Sequence, residues 1–203
     1  AVATGLHYGI VDDMKAAGLG QAITILLITL LRCFKGFNQP WGGSTAILRQ
    51  VFEELQVART WASNVVDDVS LAFLLRQAGI PAVLATQSYL YTPISAQTWS
   101  GWRDWLTRQW LYLKFIFPGS WLAGGICCHA AAGLLLIAVI QCVISLLPGA
   151  TPQDGILSAL FLVLLEVLGT RMRRLHPRPG PLSRWLMMFP AALLMCSWCH
   201  LRG

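Results

Sequence analysis

The stretch NVVDDVSLAFLLRQAGI, Asn64 to Ile80, places two adjacent carboxylates, Asp67 and Asp68, at the head of an apolar helical pattern. Two roles suit such a pair. A carboxylate can take the proton of an attacking hydroxyl, as group transfer to an alcohol requires, or it can cap a helix and favour its dipole. Upstream lies WGGS, Trp41 to Ser44. Its glycines, Gly42 and Gly43, let backbone approach a substrate closely, and Ser44 also suits the N-cap of a following helix. Downstream, WLTRQW brings Trp105, Arg108, Gln109 and Trp110. An arginine there can hold a diphosphate, or a lipid phosphate, through charge-assisted bonds. CSWCH, Cys196 to His200, matches the CxxCH attachment pattern of c-type haem. It sits in an apolar segment, and the six cysteines read as small apolar packing residues rather than as a disulfide framework.

The composition says where these residues work. The 203 residues are 56% hydrophobic and 12% charged, with a mean hydropathy of +0.59. Soluble domains carry roughly twice that charge fraction, so the chain belongs at a membrane. The net charge of +6 is carried mostly by arginine. No basic run is interleaved with aromatics as in a soluble nucleic-acid module, so a membrane surface is the expected partner and nucleic acid is not. The chain opens on AVATGLHYGI, which reads as a strand already inside a domain, with no initiator methionine or cleavable leader. It reads as a fragment.

The elements that must position the acidic pair occupy residues 1–98. AVATGLHYGIV reads as a strand, and DDMKAAGLGQAITILLITLLRCF as a helix capped by Asp12 or Asp13. The apolar core of that helix, Ile23 to Leu31, is too short for a span of ~20 residues, so the helix is expected to be buried or to lie on the membrane surface. After a turn-rich KGFNQPWGGS, TAILRQVFEELQV reads as a helix with Ile47, Val51, Phe52 and Leu55 on one face. DDVSLAFLLRQAG is a helix stopped by Gly79, and IPAVLATQSYLYT is a closing strand. The alternation predicts an α/β layer fold.

From Trp99 the character changes. WSGWRDWLTRQWLYLKFIFP mixes tryptophans with Arg103, Arg108 and Lys114, the make-up of an interfacial helix over 99–120. The region 121–203 holds three candidate spans, 121–147, 155–170 and 185–201. The second is short and carries Glu166, and the third is broken by Pro190. The loop RMRRLHPRPGPLSR holds Arg171, Arg173, Arg174, Arg178 and Arg184, whereas PGATPQDG holds only Asp154. The positive-inside rule predicts that residues 1–118 and the arginine loop share the cytoplasmic side, with 148–154 outside.

The order of these motifs, a Gly-Gly-Ser turn, an acidic pair leading into xxLxxxLRxAG, an Arg-Gln helix and then apolar spans, resembles the C-terminal half of membrane-bound family 2 glycosyltransferases. The branch that includes ceramide glucosyltransferase is the one it resembles most, and the resemblance covers residues 1 to about 118. It implies an α/β fold of the GT-A (Rossmann-like) type, followed by an interfacial helix and transmembrane helices. The implied activity is inverting transfer of a sugar from a nucleotide donor, a UDP-sugar, to a lipid or other membrane-associated acceptor, as in glycolipid synthesis. It implies Asp68 as catalytic base, with Asp67, the turn Trp41–Ser44, and Trp105, Arg108, Gln109 and Trp110 contacting substrate. In the best register Arg108 falls on the arginine of the family's (Q/R)xxRW motif, while Gln109 replaces its tryptophan and Trp105 its first residue. It also implies a divalent metal, Mg or Mn, whose DxD ligands belong upstream of Ala1. Asp12-Asp13 lies beyond the strand that follows that motif and is no substitute. An integral protein of bacterial inner membranes is expected. The competing reading is a non-catalytic membrane assembly or transport component, which has no use for Asp68 on an aqueous α/β domain.

Overall fold

The structure is a computed structural model that describes residues 1–34, 38–94, 96–148 and 152–203. Strand β1 (Val2–Ile10) pairs antiparallel with the short β2 (Thr45–Ile47) and parallel with β3 (Ala82–Pro93), so the order is β2-β1-β3. A register shift between Gly5 and Leu6 bends the β1–β3 pair. Helix α1 (Ala16–Leu31) crosses over the sheet. One side of it, Ala22 and Ile25, packs on Val11 and Ile94, and the other, Leu19, Ile23 and Leu26, enters a second cluster with the C-terminal helices. A helix apolar all round needs cover on both sides, and it has it. The mixed α/β layer expected from the alternation is therefore present. A three-stranded sheet is common to many α/β folds and does not by itself specify a GT-A domain.

Asp12 and Asp13 do not cap α1, which starts at Ala16 after an extended Lys15. The Asp13 carboxylate instead accepts from the backbone N–H of Lys15 at 3.2 Å and of Ala96 at 3.1 Å, tying the β1–α1 turn to the segment before the interfacial helix. Of the KGFNQPWGGS turn, residues 35–37 lie outside the described residues.

The helix expected from Thr45 to Val57 is three elements. Thr45–Ile47 pairs with the free edge of β1, and α2 (Arg49–Glu54) follows it. Gln56, at φ 50, turns the chain into α3 (Val57–Ser63). Helical spacing of Ile47, Val51, Phe52 and Leu55 was legible because all four pack on one cluster with Val2, Leu71 and Leu75, but an open strand edge outcompeted helix at its start. Ser44 accordingly caps no helix. Its carbonyl accepts from Gly5 N at 2.9 Å and from Thr4 Oγ1 at 3.0 Å.

Helix α4 (Asp67–Gln77) buries Val69, Leu71, Ala72 and Leu75. It ends as the sequence foretells. Gly79 has φ 66, and the N–H of Ile80 bonds the carbonyl of Leu75 at 2.9 Å, the 6→1 bond of a left-handed helix stop. Among the described residues, none lies within 4 Å of where a Cβ on Gly79 would sit. Gly79→Ala is thus expected to cost only the backbone term, about 1 kcal/mol, read as a lower unfolding midpoint in urea with an unchanged slope.

Thr98 caps α5 (Trp99–Ile116), its hydroxyl accepting from Gly101 N at 3.0 Å. The chain breaks at Phe117, and Pro118 opens α6 (Pro118–Ile144) at the first-turn position where proline costs nothing. Then come α7 (Pro152–Arg173) and α8 (Leu182–Arg202). α6, α7 from Gly155, and α8 are all long and apolar enough to cross a membrane. The segment that looked short at 155–170 gains length because the helix continues through Thr170 to Arg173. Residues 149–151, in the loop expected outside, lie outside the described residues.

Candidate functional site

The acidic pair stands in the first turn of α4 rather than at its cap. Val66 is the N-cap, with extended backbone and no side-chain capping bond. Asp67 Oδ1 accepts from the Asp68 N–H and Asp68 Oδ1 from the Val69 N–H, each at 2.8 Å. Both charges thus face the positive end of the helix dipole. The second Asp68 oxygen has another partner: Oδ2 accepts from the Gly42 N–H at 3.1 Å, across 26 residues of chain. A Cβ on Gly42 would lie 3.1 Å from Asp67 Oδ1. The turn and the acidic pair therefore meet, and a side chain at Gly42 would have to push the Asp67 carboxylate back by a few tenths of an ångström. Trp61 Nε1 holds the Asp67 carbonyl at 2.9 Å from below.

Beside this junction lies a polar cluster that the sequence did not disclose. Thr4 on β1 is its hub. Its hydroxyl accepts from Arg32 Nη2 at 2.9 Å and from the Trp41 N–H at 3.0 Å. Arg32 closes α1, is 5% exposed, and also donates to the Gly5 carbonyl at 3.2 Å. Burial lowers its pKa, and the Asp68 charge opposes that shift. The guanidinium and Asp68 carboxylate thus feel one another without an ion-pair contact, and Arg32 Nε is buried with no partner among the described residues. The Trp41 indole stacks on the His7 imidazole, centroids 4.1 Å apart and planes 11° off parallel, and a side chain on Gly43 would run into the same indole. His7 Nε2 bonds Thr92 Oγ1 at 2.8 Å. Sequence carried no signal for His7 or Arg32, since a lone histidine in a strand and an arginine ending an apolar helix are ordinary features.

Burial, reinforced by the Arg32 charge, pushes the His7 pKa down to about 4. The imidazole is neutral when folded at pH 7. A histidine with a depressed folded pKa stabilises the fold fully above its unfolded value near 6.5, and that contribution is lost as pH falls towards 4. We expect the thermal midpoint in detergent to drop between pH 6.5 and 4, by an amount equivalent to at most about 3 kcal/mol. His7→Gln should flatten that drop.

The other expected substrate contacts lie elsewhere. Trp110 is buried against His200, ring centroids 4.8 Å apart. Trp105 packs between the two clusters that sandwich α1. Gln109 Nε2 bonds the Trp105 carbonyl at 3.3 Å, and Arg108 is exposed. Among the described residues none of them is bonded to Asp67, Asp68 or the turn. The aromatic face of α5 is turned to α1 and α8, which places Trp105 and Trp110 in packing. The CxxCH pattern is likewise packing: Cys196 and Cys199 are buried, and His200 stacks on Trp121. No group of three His, Cys, Asp or Glu side chains is placed to hold a metal among the described residues.

Compared with family models, curated proteins and solved structures, the chain matches none.

Proposed function

We propose that this chain is the acceptor-side part of a membrane-bound inverting glycosyltransferase. It moves a sugar from a nucleotide donor, a UDP-sugar, to a lipid or other membrane-associated acceptor. The observation that carries the reading is the Gly42 N–H to Asp68 Oδ2 bond, which joins the turn to the acidic pair at the sheet end of α4. Helix packing alone does not need that junction. An acceptor hydroxyl bound against the Gly42-Gly43 backbone lies within reach of Asp68. As its oxygen attacks the anomeric carbon from the face opposite the nucleotide, the bond to the diphosphate breaks, the centre inverts, and Asp68 takes the hydroxyl proton. Arg32 keeps a positive charge near Asp68. Asp67 orients its neighbour by accepting the Asp68 N–H.

A divalent metal, Mg or Mn, is expected for this chemistry, but the described residues include no group of ligands that fits one. Orientation follows the arginine loop. His176 Nε2 donates to the Gly9 carbonyl at 2.9 Å and Arg184 Nη1 to the Met14 carbonyl at 2.7 Å, so the loop is held against the α/β part. Both then share the basic, cytoplasmic side, and a bacterial inner membrane is the expected setting.

The reading is tested on membranes from cells expressing the chain within its full coding sequence. Labelled UDP-sugars are supplied and label in the lipid-extractable fraction is counted. Expression-dependent transfer supports it. No transfer from any nucleotide sugar, in membranes where the protein is shown to be inserted, returns the chain to the class of non-catalytic membrane components.

A further inference from the structure

Helix α8 has the length of a span but the packing of a surface helix. We propose that it lies along the membrane surface on the side of the α/β domain, so that only α6 and α7 cross. Both its ends are held by elements of that domain or of the interfacial helix. At its start Arg184 bonds the Met14 carbonyl. At its end the Gly203 carbonyl accepts from Lys114 Nζ at 2.7 Å, and Cys199 Sγ lies 3.5 Å from the Arg103 carbonyl. Between these ties Trp185, Phe189, Ala192 and Cys196 share one buried cluster with Leu19, Ile23 and Leu26 of α1 and Trp102 and Leu106 of α5, so the three helices pack as one layer, which α6 and α7 join through Cys128 and Met172.

That layer cannot turn through the bilayer as a unit. A spanning α8 would carry α5 alongside it, with Arg103, Asp104 and Arg108 in mid-helix, and charge at that depth is expensive. It would also carry α1, whose closing Arg32 is bonded to Thr4 and Gly5 of the sheet.

The uncovered side of α8 says what it rests on. Met187, Leu194, Trp198 and Leu201 recur at steps of seven, four and three, one helical stripe, and none of them is buried. A water-facing helix carries polar residues there. An apolar stripe with a tryptophan, bounded by Arg184 and Arg202, fits the boundary between headgroups and acyl chains, where arginines reach back to the phosphates. The crossings agree with this placement. α6 leaves α8 at its C-terminal end, where His129 Nδ1 meets Ser197 Oγ at 2.7 Å, and α7 rejoins it at the other, where Trp185 Nε1 donates to the Gly169 carbonyl at 2.8 Å. α6 and α7 meet each other away from α8, Ser158 Oγ to Gln141 Oε1 at 2.5 Å. At 1.5 Å per residue α8 is ~32 Å long, so it separates the feet of two helices that converge beyond it. The inference stands on helix packing and is independent of the reaction proposed above.

The test is sidedness. Val65→Cys on the α/β domain, Leu147→Cys past the end of α6, and Arg202→Cys are made singly in the chain with exposed Cys33 and Cys127 replaced by serine. An impermeant maleimide is applied to intact cells and to inside-out vesicles. Position 202 is expected to react in the same preparation as 65, and 147 in the other. Reaction of 202 together with 147 overturns the proposal, as does reaction of 202 only after detergent, which would bury it within the bilayer. A second measurement alters no side chain: a fluorescent protein fused after Gly203 is expected to fluoresce as it does when fused ahead of Ala1. Active alkaline phosphatase at the same fusion point would overturn the proposal independently.

Discussion

Asp68→Asn is expected to lower sugar transfer by ~10²-fold or more while the protein still folds and inserts. The substitution keeps the shape of the side chain. Its amide can present an oxygen to the Gly42 N–H as the carboxylate does at 3.1 Å, and loss of one first-turn charge costs only ~0.3–1 kcal/mol of dipole stabilisation. What it cannot do is accept the hydroxyl proton while the glycosidic bond forms. The measurement is turnover at saturating acceptor in membranes with matched protein levels, with Asp67→Asn as the comparison. Asp67 gives its side chain to the Asp68 N–H, so its loss should act through orientation and cost less. Near-normal turnover in Asp68→Asn would leave the pair as a dipole-favouring first turn and nothing more. An equal loss in both variants would leave the base unassigned between them.

Trp102→Ala is expected to be the most destabilising single change, by about 3–5 kcal/mol. Trp102 is fully buried, and its ring fills the space over Gly20 where α1 faces α5 and α8. Removing it empties the seam of the three-helix layer, and backbones on three sides limit how far the gap can close. The indole Nε1 has no partner among the described residues, so little hydrogen bonding is lost and the effect reads as packing. The check is the unfolding midpoint in mixed micelles, set beside Trp198→Ala, whose ring is 54% exposed. If α8 rests in the headgroup region, Trp198→Ala should barely alter stability in micelles and should weaken retention of the layer on vesicles instead.

These two tests probe features of different legibility. The sequence by itself determined what is local. The short apolar core of α1, the stop at Gly79, the start of α5 after Thr98 and the long apolar α6 follow from periodicity, capping and length, which are properties of neighbouring residues. It also marked the acidic pair and the Gly-Gly-Ser turn as residues able to do chemistry. Only the tertiary structure decided what they meet. Thr45–Ile47 became a strand because β1 had an open edge there, a circumstance no window around those residues contains. Asp68 reaches Gly42, and Arg32 reaches Thr4, across 26 and 28 residues of chain. Such bonds are set by the crossover of α1 and by the β1–β3 register. Hydropathy assigns α8 to a bilayer as readily as α6, since it sums side chains without asking what they touch. Its ties to Met14 at one end and Lys114 at the other exist only in the folded chain, and the cost of drawing charged neighbours through lipid sets its place.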